Sequence, residues 1–180
     1  MVEIGRRTMS VQEHQSSAPQ VIRVAVITVS DTRTLDADTG GQCVVDYLAR
    51  GGHTVVQRDI VPDEPTRIRS LIGSLAERRD VDTILITGGT GISGRDQTYE
   101  TVSSLLDRSL PGYGELFRAL SYQEIGAAAM LSRATGGLVG RTVLLSMPGS
   151  PAAVRLAMEK LILPELGHLV PEATRDEERQ

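Results

Sequence analysis

The sequence predicts an α/β domain built on a parallel, helix-covered sheet, and three observations carry that reading. Four apolar, β-branched runs recur along the 180 residues, helix-patterned segments separate them, and neither an internal repeat nor an interior linker divides the chain. The runs at 22–29, 54–61, 83–87 and 142–146 are short and read as strands. A helix is expected over 41–50, where Gly51-Gly52 stops it. Over 66–79, Ile68, Leu71, Ile72 and Leu75 share one face at helical spacing, and a third helix follows at 98–106. Ser121-Tyr122-Gln123-Glu124 has the form of a capping box opening an alanine-rich helix at 125–131. Ser150-Pro151 joins a good N-cap to a proline at the first helical position, starting a helix that runs to 163.

A chain of this length fits one domain with a respectable core. Residues 1–20 are polar and unpatterned and are expected to be disordered, as is a charged tail at 171–180, leaving 21–170 as the folded domain. A net charge of −4 without a basic block argues against nucleic acid as the main partner. No apolar run approaches transmembrane length, and the first twenty residues lack a signal peptide's hydrophobic centre, so a cytoplasmic protein without a membrane partner is expected. The single cysteine, Cys43, falls on a predicted helix among Val44, Val45 and Leu48 and reads as a small buried residue. Tryptophan is absent and Phe117 is the one phenylalanine, so aliphatic and alanine packing must build the core.

The densest chemical signal follows the third strand, in Thr87-Gly88-Gly89-Thr90-Gly91-Ile92-Ser93-Gly94-Arg95-Asp96-Gln97-Thr98. Glycines let backbone N–H groups turn toward one point, and a helix N-terminus adds its positive end, so such a loop favours a phosphate. Asp96 would repel that phosphate unless a cation or proton stands between them, and Mg²⁺ is the usual intermediary. The loop is not a P-loop, because no Gly-Lys-Ser/Thr follows the glycines. Gly89, Gly91 and Gly94 do satisfy G-x-G-x-x-G, but the acidic ribose reader of a dinucleotide site is missing about twenty residues on. A nicotinamide-dependent oxidoreductase is therefore a minor alternative.

Ligands of such sheets bind at the carboxyl ends of the strands. Here those ends carry Ser30-Asp31-Thr32, Pro62-Asp63-Glu64, the glycine loop, and Met147-Pro148-Gly149-Ser150. A rim that is polar at every strand end reads as a site for a polar, phosphate-bearing ligand.

Taken in order, Val29-Ser30-Asp31-Thr32, Val61-Pro62-Asp63-Glu64, Thr87-Gly88-Gly89-Thr90-Gly91, Gly94-Arg95-Asp96-Gln97-Thr98, Leu110-Pro111-Gly112-Tyr113-Gly114-Glu115, Leu131-Ser132-Arg133 and Pro148-Gly149-Ser150 resemble the MoaB/MogA family of molybdenum cofactor biosynthesis proteins, in its MoaB branch. The resemblance spans about 22–170. It implies a three-layer α/β/α domain that binds molybdopterin, assembles into trimers or hexamers, and in active members adenylylates molybdopterin with Mg-ATP. It also implies that Asp63 and Asp96 serve catalysis. The Thr87–Gly91 loop would hold the pterin phosphate or nucleotide, with Ser30 and Asp31 in the same cleft and Pro148, Gly149 and Ser150 closing its far side. Ser93, Gly94 and Thr98 complete the implied binding set. Other proteins of the cofactor pathway are possible partners.

The chemistry can be reasoned separately. In adenylylation the terminal phosphate of molybdopterin attacks the α-phosphorus of ATP and pyrophosphate leaves. A phosphate monoester is already ionised near neutrality, so no general base is needed. The obstacle is bringing two anions together, which a metal and aligned backbone donors relieve. Asp63 and Asp96 fit as direct or water-mediated Mg²⁺ ligands. Asp96 reads equally well as a cap for a helix starting near Gln97; for Asp63 a cap or turn before Pro65 is the commoner outcome, and Arg95 and Arg133 read first as surface or interface salt-bridge partners rather than phosphate clamps. The leading expectation is a molybdopterin adenylyltransferase; the second is a non-catalytic molybdopterin carrier or assembly scaffold. A side chain introduced at Gly89 is expected to meet the ligand and leave the fold intact.

Overall fold

The computed structural model describes residues 21–175. Strands β1 (Arg23–Val29), β2 (Thr54–Val61), β3 (Thr83–Thr87), β4 (Arg108–Ser109), β5 (Thr135–Val139) and β6 (Thr142–Met147) form one sheet in the order β2-β1-β3-β6-β5-β4. Strands β2, β1, β3 and β6 are the four that the sequence predicts, and they run parallel. Strands β5 and β4 add an antiparallel margin next to β6.

Alternation along the central strands sorts the side chains into two cores. Val24, Val26, Leu85 and Leu145 pack with Val44 and Leu48 of α1 (Thr39–Arg50) and Phe117 of α4 (Pro111–Ile125). The same core takes Val154 of α5 (Pro151–Ala157) and Leu166 of α6 (Leu163–Thr174). On the opposite face Ala25, Ile27, Ile84 and Ile86 meet Ile68, Ile72 and Leu75 of α2 (Pro65–Ala76) and Val102 of α3 (Thr98–Leu105). Helices cover both faces, which is the three-layer α/β/α sandwich. With both faces buried, β1, β3 and β6 are mostly apolar with small hydroxyl residues between, and that makes them readable as near-continuous runs.

Several expectations need correction. Strand β5 escapes the β-branched pattern because it contains Gly136 and Gly137. A Cβ on Gly136 would stand 2.5 Å from the Leu145 side chain, and one on Gly137 would stand 2.1 Å from the Arg108 carbonyl oxygen. Close strand approach outweighs β propensity there. Ser121–Glu124 open no helix. They lie within α4, which begins at Pro111 and ends where Gly126 turns to φ +63°, and 126–131 form a 3₁₀ helix. Ser121 faces the interior and is buried, so it is not in a position to cap. The last helix also continues past 163. A π-helical turn, Met158–Ile162, joins α5 to α6, accommodating the missing N–H of Pro164. Helix α6 then runs to Thr174, beyond the expected domain limit at 170; residues 1–20 and 176–180 lie outside the described residues. No described helix is long and apolar enough to cross a membrane.

Candidate functional site

The carboxyl ends of β3 and β6 are laced together before the glycine loop departs. Thr87 Oγ1 donates to the Pro148 carbonyl at 3.3 Å, and the Gly88 N–H donates to the Met147 carbonyl at 3.1 Å. Gly88 and Gly89 take φ of +101° and +64°, which reverses the chain directly after the strand. A Cβ at Gly88 would stand 2.3 Å from the Val29 carbonyl oxygen, and one on Gly149 would stand 3.2 Å from Gly88 Cα. The turn therefore sits against its neighbours with no room for side chains.

Beyond this turn a cleft of about 320 Å³ opens between Gly89, Thr90 and Gly91 on one side and Pro148, Gly149 and Ser150 on another. Phe117, Ile125 and Leu131 add an apolar wall from α4 and the 3₁₀ helix. That wall was invisible to motif reading, because its residues belong to segments assigned to ordinary helix packing. Ser150 uses its hydroxyl to cap α5, accepting from the Ala153 N–H at 3.3 Å. Ser30 Oγ accepts from the N–H groups of Thr32 and Arg33 at 3.3 and 3.2 Å, shaping the loop after β1.

The two implied catalytic carboxylates are built differently. Asp63, at the end of β2, is buried and reaches across to the start of α3. Its Oδ2 accepts from the Gln97 N–H and its Oδ1 from Thr98 Oγ1, both at 3.2 Å. Burial pushes its pKa up, against the pull of those two hydrogen bonds. It thus braces the start of α3, through the N–H of the N-cap residue Gln97 and the Thr98 hydroxyl, rather than the helix before which it stands in sequence. Asp96 folds back instead onto its own loop, accepting from the Ser93 N–H at 2.9 Å and from Ser93 Oγ at 2.5 Å. It does not cap α3, whose N-cap position is Gln97.

Gly89 requires a further correction. A Cβ there would point into the protein, 1.9 Å from Thr98 Oγ1 and 2.5 Å from Asp63 Oδ2. A side chain at Gly89 perturbs the carboxylate before it meets any ligand. Asp31 pairs with Arg95 through two bonds of 2.6 and 2.7 Å and accepts from the Asp63 N–H at 3.1 Å. The Arg95 guanidinium, with the Asp63 amide, holds the Asp31 carboxyl below the usual range. Gly94 is exposed, with nothing within 4 Å of an added Cβ.

A larger hollow, about 550 Å³, lies beside α1 and is lined by Asp36, Asp38, Asp46, Gln42, Cys43 and Arg58. Its three carboxylates disfavour an anionic ligand, and the buried one is paired with Arg58, so size alone does not make it the better site. Among the described residues no group of three or more His, Cys, Asp or Glu side chains is placed to hold a metal ion.

Comparison with known proteins agrees with this architecture. A family described as "Probable molybdopterin binding domain" matches residues 25–168. A Molybdenum cofactor biosynthesis protein B from Bacillus anthracis is 52% identical over 168 residues, covering 93% of this chain and 99% of the relative. A crystal structure of a Molybdenum cofactor biosynthesis protein B superposes with a TM-score of 0.85 at 52% identity, covering 88% of this chain and 99% of that one. The tungsten cofactor synthesizing protein MoaB of Pyrococcus furiosus superposes at 0.77 with 35% identity, covering 87% and 99%. With the ordered motifs, the fold and the matched length in agreement, the chain belongs to the MoaB/MogA family of molybdenum cofactor biosynthesis proteins, in its MoaB branch.

Proposed function

We propose that this chain acts in molybdenum cofactor biosynthesis by binding molybdopterin in the glycine-loop cleft and transferring an adenylyl group to it from ATP. The observation that carries this reading is the cleft itself: backbone of Gly89–Gly91 on one side and the apolar Phe117, Ile125 and Leu131 on another. Backbone donors suit a phosphate, and an apolar wall suits a flat heterocycle. Attack of the molybdopterin phosphate on the α-phosphorus forms one P–O bond as the bond to pyrophosphate breaks. The chain's part is to align the two anions and offset their repulsion.

Two carboxylates without a third acidic or histidine ligand do not suit a resident metal cage, but they suit Mg²⁺ arriving with ATP, which usually takes one or two carboxylates plus phosphate oxygens. Asp63 and Asp96 would hold that ion, whose chemistry is to neutralise charge on the reacting phosphates. Pyrophosphate release from Mg-ATP in the presence of molybdopterin tests the proposal. Asp96→Asn, which deletes charge and keeps shape, should reduce release by about 100-fold while preserving molybdopterin binding. Equal release by wild type and variant leaves Asp96 as a loop brace only. Binding without release by either makes the chain a carrier.

Assembly is the second part of the proposal. Tyr122, Ile125, Met130 and Leu131 are exposed at the end of α4 and on the 3₁₀ helix, apolar surface bordering the cleft that Ile125 and Leu131 also line, and a second copy would cover it in a trimer or hexamer. Sedimentation equilibrium at micromolar concentration should show no monomer; a single monomeric species removes this part.

A further inference from the structure

Arg133 lies between the 3₁₀ helix and β5, outside the residues lining the cleft. Its guanidinium nevertheless gathers the glycine loop. Nε donates to the Thr90 carbonyl at 3.3 Å, and one terminal nitrogen donates to the carbonyls of Gly91 and of Asp96, the latter at 3.1 Å. The other terminal nitrogen pairs with Glu100, and the planar group lies over the Tyr99 ring, 5.0 Å from its centre.

Holding a carbonyl fixes more than an oxygen. In a trans peptide the C=O and the following N–H point in opposite directions, and the described residues contain no cis peptide. Drawing the carbonyls of Thr90 and Gly91 toward Arg133 turns the N–H groups of Gly91 and Ile92 away from it. Drawing in the Asp96 carbonyl turns the Gln97 N–H away from Arg133 in the same way, toward Asp63 Oδ2, which accepts it at 3.2 Å. One peptide plane is thus gripped by Arg133 at its oxygen and by Asp63 at its nitrogen.

We infer that Arg133 is a positioning residue for the site: it sets the direction of the glycine-loop donors and, through the Asp96–Gln97 peptide, the orientation of the Asp63 carboxylate. It touches neither reacting group. Lysine is a poor substitute, because a single ammonium cannot reach three carbonyls and a carboxylate in one plane while stacking on an aromatic ring. The inference rests on the proposed function for its ligand, and on the loop geometry alone for its mechanism.

The test compares wild type, Arg133→Lys and Arg133→Ala by two readouts: amide hydrogen exchange across residues 88–98 and molybdopterin affinity. In Arg133→Ala, exchange at Ser93, Asp96 and Gln97, whose N–H groups donate within the loop and to Asp63, should rise by about 10-fold or more while the central strands stay protected. Affinity should fall by about 10-fold or more, because misdirected donors no longer converge. Arg133→Lys should recover little of either, whereas millimolar guanidinium added to Arg133→Ala should restore part of both and equal sodium chloride should not. Wild-type behaviour in Arg133→Lys would overturn the inference, since a point charge would then suffice. Loss of protection spread evenly over the sheet would also overturn it, by making Arg133 a general stabiliser. Should wild type bind no molybdopterin, the proposed function falls, and the exchange contrast between arginine, lysine and guanidinium rescue still decides the positioning role.

Discussion

Asp38 and Asp63 stand at the same rim, each nearly enclosed at 1% and 5% exposure, each at the N-terminus of a helix, and their charges are treated in opposite ways. Asp38 caps α1 through the Gly41 N–H at 2.9 Å, accepts from Thr28 Oγ1 at 2.6 Å, and pairs with Arg58 at 3.1 Å. Burial opposes its ionisation, yet Thr28, Gly41 and Arg58 outweigh burial and hold the carboxyl below its usual range. Asp63 accepts from an amide and a hydroxyl, and among the described residues no cationic side chain forms an ion pair with it. Burial dominates and its pKa rises. Enclosure alone therefore does not set the charge of a carboxylate: what separates the two is that Asp38 has an arginine within ion-pair distance and Asp63, beside the glycine loop, has none among the described residues.

Three substitutions sharpen or break this contrast. The largest stability effect is expected for Asp38→Asn, which removes the charge facing the largely enclosed Arg58 and leaves it only the neutral Gln42 Oε1 and Asp38 carbonyl, and it should cost about 3 kcal/mol, or roughly 10 °C in Tm. Because the folded pKa of Asp38 is depressed, its contribution is present above the unfolded value of about 3.9 and is lost as pH falls through the folded one. The variant should lack that part of the acid-induced decline, and an unchanged melting temperature would show Asp38 to be no more anchored than Asp63.

Gly89→Ala comes next. Its φ of +64° strains any L side chain, and the new Cβ must displace Thr98 and the Asp63 carboxylate, so a loss of about 2 kcal/mol is expected in chemical denaturation. Wild-type stability would mean that the loop moves freely and that Asp63 is not held by it.

The smallest change belongs to Asp63→Asn. The amide keeps an oxygen for the Gln97 N–H and offers an NH₂ to the Thr98 hydroxyl, so stability at neutral pH should shift by less than about 1 kcal/mol. The sign of its pH effect is opposite to that of Asp38. A raised folded pKa favours the folded state while Asp63 is protonated, and that advantage is lost as pH rises from the unfolded value through the folded one. Melting temperatures measured across that interval should decline less in the variant than in wild type. A variant that declines more steeply would reverse the assignment.

The central strands and the glycine turn were legible for a simple reason: each leaves its requirement written in consecutive residues. Ile84-Leu85-Ile86 must be apolar because both faces are covered, and Gly88-Gly89 must be glycine because the backbone there has positive φ. Strand β5 and the length of α4 were not legible. Gly136 and Gly137 answer to the closeness of β6 and β4, and Ser121 answers to the core beneath α4. Arg133 read as a surface partner. It does pair with Glu100, but most of its donors go to loop carbonyls that only the fold brings near.

By itself the sequence determined the alternation of strand and helix, the positions of the tight turns, and an ordered set of rim motifs specific enough to indicate the family. Tertiary structure alone decided which carboxylate is paired with an arginine and which is held by an amide and a hydroxyl. Asp38 finds Arg58 twenty positions away, and Asp63 finds Gln97 thirty-four positions away, across strands that meet only when the sheet has assembled. Hydrophobic periodicity is a local property, set by the geometry of one helix or strand. Burial and pairing of charge are properties of the space between elements, and the electrostatic energy there depends on distances that sequence spacing does not encode.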